Sequence, residues 1–302
     1  MFYRARRAWQ VARFNRRIAG ILDTPPLAMR PAAWTFVSMV ANRDVPMYLL
    51  AIKSLYARMG GGGIVAIVHA DLPAAARALL RRHLPDAEII AGDTLDPGAC
   101  QRGGTWERLV HILDRARDGY VIQVDADVLA FGADVAEVLD CARRNVAFAL
   151  GDGSPMMDMV AAARRAQATQ GDYIGDVAER LFDRYPDAAA LRYVHGSSGF
   201  AGFAKGGFPR AGIEAFHAAM ETMLGARWRE WGTEQVGSNF AIANSPAAVV
   251  LPYPEYASFP PNGPLEPAKL LHFIGTYRFD GGVFARRGRQ VIASLARPNG
   301  CP

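Results

Sequence analysis

The chain has 302 residues, enough for one large domain or two ordinary ones, and it is 51% hydrophobic and 21% charged, as soluble globular proteins are. No run approaches the ~18 uninterrupted apolar residues of a membrane span, and three scattered cysteines, Cys100, Cys141 and Cys301, have neither metal-ligand spacing nor the even number of a disulfide framework. The net charge of +5 sits in the tail: residues 1–22 hold Arg4, Arg6, Arg7, Arg13, Arg16 and Arg17 and no acid, and removing those six leaves −1, which argues against a nucleic-acid enzyme with a basic working face.

In chain order, the tail comes first. Val11, Phe14, Ile18, Ile21 and Leu22 recur at helical spacing with arginines between them. Such a helix, over about residues 1–26, fits two roles: docking on an anionic membrane surface, or packing on the body with its arginines in solvent. A transit peptide is also Arg-rich and acid-poor, but residues 1–22 contain no Ser. Asp23-Thr24-Pro25-Pro26 breaks the helix. Residues 27–302 then read as one catalytic-type domain, with a nucleotide-binding half over about 34–145 and an acceptor half over about 146–285.

Trp34–Val40 reads as a strand, Pro46–Arg58 as a helix with Met47, Leu50 and Leu55 inward, and Ile64–Val68 as a second strand. Pro73 starts a helix that ends near His83, and Glu88–Ile90 is a short strand. Thr105–Arg117 reads as a helix, followed by an apolar strand from Tyr120 to Val128 that carries Asp125 and Asp127 near its end. This βαβαβ rhythm indicates a mostly parallel sheet flanked by helices. Beyond it, Val146–Leu150, Phe200–Phe203 and Ala247–Leu251 read as strands. Residues 155–190 read as Ala-rich helix, and Arg210–Leu224 as another helix.

Asp125 and Asp127 carry the clearest chemistry. Residues i and i+2 of a strand share a side, so both carboxylates converge at a strand's carboxyl end, where open α/β sheets bind ligands. Two carboxylates there form a hard oxygen site suited to Mg²⁺ or Mn²⁺ carrying a phosphate. Glycines 60–63 lack the Walker spacing and follow a helix, so they read as a flexible turn. No G-x-G-x-x-G follows the first strand, and Ser197-Ser198-Gly199 is not a nucleophile elbow.

Four further segments, taken with the Asp-X-Asp, resemble glycosyltransferase family eight, the galactosyltransferase and glycogenin group of the GT-A fold. Ala51-Ile52-Lys53-Ser54-Leu55 resembles its first helix. Thr105-Trp106-Glu107-Arg108-Leu109 resembles its T-x-x-R-L, Glu234-Gln235-Val236-Gly237-Ser238-Asn239 its D-Q-D-x-x-N, and His272-Phe273-Ile274-Gly275-Thr276-Tyr277-Arg278 its H-x-x-G-x-x-K. They occur in the family's order.

The resemblance implies an α/β, GT-A nucleotide-diphospho-sugar transferase. It implies that Asp125, Asp127 and His272 hold Mn²⁺ or Mg²⁺, a set of carboxylates and imidazole that suits Mn²⁺. Arg108, Arg278 and Gly275 would lie at the diphosphate, and Glu234 and Gln235 at the donor sugar. The expected partners are a UDP-sugar donor and a glycan, lipid-linked or small-molecule acceptor hydroxyl, with no nucleic acid. The expected place is the cytoplasm, at the inner membrane face if the basic helix takes the first of its two roles. The family retains the donor's anomeric configuration. Three departures weaken the sugar and base end. Val236 replaces an aspartate, Ser197 stands where an asparagine is usual, and Ala41-Asn42 lack the acid usual at the nucleobase. A sugar-nucleotide nucleotidyltransferase or a non-catalytic protein on the same fold are the alternatives, and Val40–Asp44 lacks the glycine-rich loop of the first.

Overall fold

Trp34–Val40 is a run of β-branched and aromatic residues, and in the computed structural model, which describes residues 2–296, it forms a strand with those bounds. The side chains of residues 2–5, Arg4 among them, and Cys301 lie outside that description. Contacts group the chain into two units. One comprises Met1–Ala91, Val124–Ala136 and Pro254–Pro302, the other Gly92–Gln123 and Glu137–Tyr253. The two units are interleaved along the sequence. The chain leaves the first unit after residue 91, returns for the Asp-X-Asp, and returns again for the His272 segment.

In the first unit, Trp34–Val40 pairs in parallel with Gly63–Val68, which pairs in parallel with Glu88–Ala91. The helix Val45–Met59 is apolar on nearly every side and is buried accordingly, with Tyr48, Leu49, Leu50, Ile52 and Leu55 inaccessible. Gly60 ends it in the left-handed conformation, φ 76°, and its N–H donates to the Tyr56 carbonyl. The glycine run is thus a helix cap and turn. Gly62 is confined further, since a Cβ there would stand 2.8 Å from the Trp34 and Phe36 rings.

The basic tail forms the helix Phe2–Ile18, followed by a 3₁₀ turn, Ala19–Asp23. Its apolar stripe is spent on the body. Phe14, Ile18 and Ile21 are buried, and the Phe14 ring lies 4.9 Å from Phe284 of the C-terminal helix Val283–Leu295 and 5.2 Å from Phe279. Arg6, Arg13 and Arg16 face solvent. Packing on the body, one of the two roles open from the sequence, is what the helix does with its apolar face. Among the described residues, no helix is long and apolar enough to cross a membrane.

In the second unit, Phe148–Gly151 lies antiparallel to Gly196–Phe203 and parallel to Val249–Val250. The helices Trp106–Ala116, Arg210–Leu224 and Thr233–Ala243 pack around Trp106, Phe216, Trp228 and Phe240, with Phe216 stacked on Phe240 at 4.0 Å. The expected helical stretch 155–190 is instead two short helices, Met159–Gln167 and Ile174–Glu179, and a 3₁₀ turn, Phe182–Arg184. The helical run stops at Gln167, ahead of a polar stretch that contains Gly171.

Two side chains of the helix Val45–Met59 do unusual work in the first unit. Ser54, fully buried, accepts a hydrogen bond from the Ala130 N–H at 3.2 Å, anchoring the strand that follows the Asp-X-Asp. Lys53 is buried as well. Its Nζ donates to Thr24 Oγ1 (2.9 Å) and the Pro25 carbonyl (2.7 Å), and lies 3.0 Å from His83 Nδ1.

Replacing Ser54 by Ala leaves a buried N–H without its acceptor, so Ser54→Ala should lower unfolding stability by about 1–3 kcal/mol, measured by urea denaturation. Burial pushes the Lys53 ammonium down to about 8 from its ordinary 10.5. The folded protein then holds fewer protons than the unfolded chain between those values, so the cost of burying the charge is fully present below pH 8 and is relieved as pH rises toward 10.5. Thermal melts across pH 7.5–10 should show a stabilising contribution that Lys53→Met abolishes; parallel curves for the two proteins would refute it.

Candidate active site: a metal-ligand triad and a buried arginine–glutamate pair

The strand bearing the Asp-X-Asp stops earlier than the apolar run suggests. It spans Tyr120–Val124, and Asp125, Ala126 and Asp127 form a turn closed by the Val128 N–H on the Asp125 carbonyl (3.2 Å). Turn geometry, and not the alternation of a strand, directs the two carboxylates. Val128–Ala130 then enters a different, three-stranded sheet. There it pairs antiparallel with Leu270–His272, with Val128 opposite His272, and Leu270–His272 pairs in parallel with Tyr256–Ser258. The Phe273 N–H donates to the Asp127 carbonyl at 2.9 Å.

This register puts the His272 imidazole beside both acids. Its Nε2 lies 3.1 Å from Asp127 Oδ1 and 3.7 Å from Asp125 Oδ2. One donor atom from each of the three residues falls within 4.8 Å of the others. Adjacent donors on an octahedral ion with ~2.1 Å bonds stand about 3 Å apart, so the spacing fits a divalent ion. Two hard carboxylate oxygens and a borderline imidazole nitrogen make a donor set that a divalent metal ion could use.

Burial alone would lower the His272 pKa, but the Asp127 and Asp125 carboxylates overcome it and hold the pKa above its ordinary value. Burial alone would raise Asp127, yet His272 and Arg278 hold it below the usual carboxylate range. Arg278 belongs to the same constellation. Its Nη2 is 2.7 Å from Asp127 Oδ2, its Nη1 is 3.9 Å from Asp44 Oδ1, and its Nε donates to the Gly275 carbonyl at 2.8 Å. Gly275 adopts φ 52°, the left-handed region, which explains a glycine at that position of the H-x-x-G-x-x-R segment. Asp44 was not singled out from sequence. The acid sits two residues beyond Ala41-Asn42, just before the helix Val45–Met59, and burial raises its pKa against the pull of Arg278.

The second unit gathers Arg108, Glu234 and Gln235. Arg108, on the helix Trp106–Ala116, is 3% exposed, and its Nη2 lies 3.4 and 3.3 Å from the two Glu234 oxygens. Glu234, also 3% exposed, accepts further hydrogen bonds from Thr105 Oγ1 (3.1 Å), Ser198 Oγ (3.2 Å) and Gln123 Nε2 (3.4 Å). Gln235 Oε1 accepts from the Ser198 N–H at 3.3 Å. Arg108, expected at the diphosphate, is therefore bound to Glu234. Thr105 sits at φ 72°, strained for a β-branched residue, at the cap of the Arg108 helix. Thr105 begins the T-x-x-R-L segment of Arg108, whereas Gln123 and Ser198 come from other segments, and nothing in the sequence around those two marks them as partners of Glu234.

No protein-family model matches the chain, and neither does any curated protein. Among solved structures the chain is similar to the galactosyltransferase LgtC in complex with donor and acceptor sugar analogues, at 12% identity and a TM-score of 0.46 over 87% of this chain and 96% of that one. It is similar to the bifunctional glycosyltransferase WbbM at 14% identity and a TM-score of 0.46, over 87% and 53% of the two chains. A third likeness, to the mannosyltransferase Ktr4p from S. cerevisiae, has 8% identity and a TM-score of 0.43 over 97% and 92%.

Proposed function

We propose that the protein is a metal-dependent glycosyltransferase that moves a hexose from a UDP-sugar to an acceptor hydroxyl with retention of configuration. One observation carries this reading: Asp125, Asp127 and His272 bring two carboxylates and an imidazole within 4.8 Å of one another, with the Arg278 guanidinium on Asp127. Those three residues would hold Mn²⁺ or Mg²⁺. When bound, the ion would supply Lewis-acid stabilisation of the charge that grows on a departing diphosphate. Arg278 adds a planar cation able to clasp phosphate oxygens, and the Gly275 turn holds it there through the Nε hydrogen bond. Uridine as the base rests on the family resemblance.

Glu234 is a poor general base. A carboxylate offers about four lone-pair sites, and those of Glu234 face Arg108, Thr105, Ser198 and Gln123. Its role is to position, together with Gln235, the donor sugar that the family resemblance places there. Arg108 holds that carboxylate in place through its Nη2. With no base assigned, retention follows from a same-face route. The bond from the sugar's anomeric carbon to the phosphate oxygen breaks, the acceptor oxygen bonds to that carbon, and the acceptor's proton passes to the departing phosphate. The acceptor is a glycan, lipid-linked or small-molecule hydroxyl. A basic N-terminal helix suits an acceptor at the inner face of a membrane, and with it a cytoplasmic enzyme.

Incubation with Mn²⁺ and UDP-, GDP- and dTDP-sugars should release free sugar from the UDP donor. Asp125→Ala, Asp127→Ala and His272→Ala should each abolish that release while melting like the unmutated protein. Pyrophosphate exchange would indicate a nucleotidyltransferase, and silence with every donor would indicate a non-catalytic binding protein. Glu234→Gln leaves Arg108 buried without its counter-charge, so unfolding stability should fall by about 3 kcal/mol, read by chemical denaturation. Turnover should fall without vanishing. NMR of the product from an α-linked donor should show an α-linkage, whereas a β-linked product with Glu234→Gln inactive would make Glu234 the base of an inverting enzyme.

A further inference from the structure

Arg7, Val11, Phe14 and Asn15 of the N-terminal helix Phe2–Ile18 border open space. A cavity of about 400 Å³ opens beside it, lined among others by Arg7, Asn15, Arg43, Asp44, Thr276 and Arg278. This volume lies in the range of small-ligand sites. Three arginines and one acid are among its lining residues, and Asp44 lies 3.7 Å from Arg43 and 3.9 Å from Arg278. The cavity thus carries an excess of positive charge. Arg278 is also the residue whose Nη2 meets Asp127 of the triad.

Arg7 is the tail arginine committed to this place. Its Nη1 donates to the Thr276 carbonyl at 3.1 Å, and its guanidinium lies over the Phe279 ring, 4.4 Å from the centroid. The helix beneath it is fixed by Phe14 and Ile18, both buried. The cation is therefore held in advance, and a guanidinium has five N–H donors, most of which remain for a ligand. Arg6 and Arg16 on the same helix are exposed and line no part of the cavity.

We propose that the N-terminal helix forms a wall of the donor site, and that Arg7, with Arg43 and Arg278, binds the diphosphate of the nucleoside diphosphate. The proposal rests on the glycosyltransferase reading for the identity of the ligand. The recognition itself is that of a diphosphate by a guanidinium cluster. Arg7 is a binding residue, so its loss acts on affinity and leaves the bond-making step alone.

Calorimetric titration of the full chain with inorganic pyrophosphate and with UDP, first in EDTA and then in Mn²⁺, tests it. Arg7→Gln should weaken both ligands about tenfold, the loss of one charge-assisted hydrogen bond, in EDTA as in Mn²⁺. Arg7→Lys should recover part of the affinity, and Arg16→Gln should change nothing. In turnover, Arg7→Gln should raise KM for the donor at constant kcat. Should Arg7→Gln fold poorly, phenylglyoxal labelling of the unmutated protein provides the same test, because UDP should shield Arg7 and leave Arg16 reactive.

UDP binding that is indifferent to Arg7→Gln, with no shielding of Arg7, overturns the proposal and leaves the glycosyltransferase reading standing. Arg7-dependent pyrophosphate binding without turnover of any nucleotide sugar supports the anion pocket and refutes that reading. An unmutated protein that binds neither ligand overturns the proposal. Arg7→Gln that loses binding to phosphatidylserine vesicles while keeping its UDP affinity assigns the cation to lipid headgroups and overturns it as well.

Discussion

The antiparallel pairing of Leu270–His272 with Val128–Ala130 is the contact on which the proposed chemistry depends. His272 and Asp127 are 145 residues apart in sequence, and neither has a local reason to meet the other. The ladder supplies it, with Val128 opposite His272 and the Phe273 N–H on the Asp127 carbonyl. A shift of one residue would turn His272 to the opposite face of its strand and dissolve the triad. Ser54 guards the register from the other side, because its hydroxyl accepts from the Ala130 N–H at the end of the same short strand. Three-residue strands are weak by themselves, which is why the buried helix Val45–Met59 has to hold them.

The two charged clusters differ in kind. Arg108 and Glu234 are each 3% exposed and hydrogen-bonded within the fold. Such a pair holds shape, and breaking it strands a buried charge. The Asp125 side chain is 29% exposed and that of Arg278 is 21% exposed, beside the more deeply buried Asp127 and His272. Like charges drawn together at a partly open place are costly without a cation, and Arg278, 2.7 Å from Asp127, supplies one positive charge against the two carboxylates. The opposite signs of the shifts at His272 and Asp127 express that arrangement: each holds the other in its charged form.

Much of this was legible in the sequence where the signal was long and periodic. Trp34–Val40 and Arg210–Leu224 have the bounds that their apolar patterns indicate. Asp125, Asp127 and His272 are named as candidate metal ligands through family motifs, and the structure brings the three together. The geometry of the Asp-X-Asp was not legible, because an apolar run from Tyr120 to Val128 does not reveal that the chain turns at Asp125 and changes sheets. Leu270–His272 and Tyr256–Ser258 are too short to show a period. Thr233–Ala243 is rich in Thr, Gln, Gly, Ser and Asn, which blur helical periodicity. The stripe of the N-terminal helix was visible, but the surface it covers was not: Phe279 and Phe284 lie more than 260 residues away in the sequence.

The central claim is that Asp125, Asp127 and His272 hold one divalent ion that a nucleoside diphosphate shares. Electron paramagnetic resonance of Mn²⁺ titrated with the full chain tests it directly, since the free-ion signal falls as the ion binds. The account predicts one Mn²⁺ per chain, held more tightly when UDP is present, and loss of that binding in Asp127→Ala and His272→Ala proteins that melt normally. An unmutated protein that leaves the Mn²⁺ signal unchanged with UDP present, or a His272→Ala protein that binds the ion as well as the unmutated one, would contradict it.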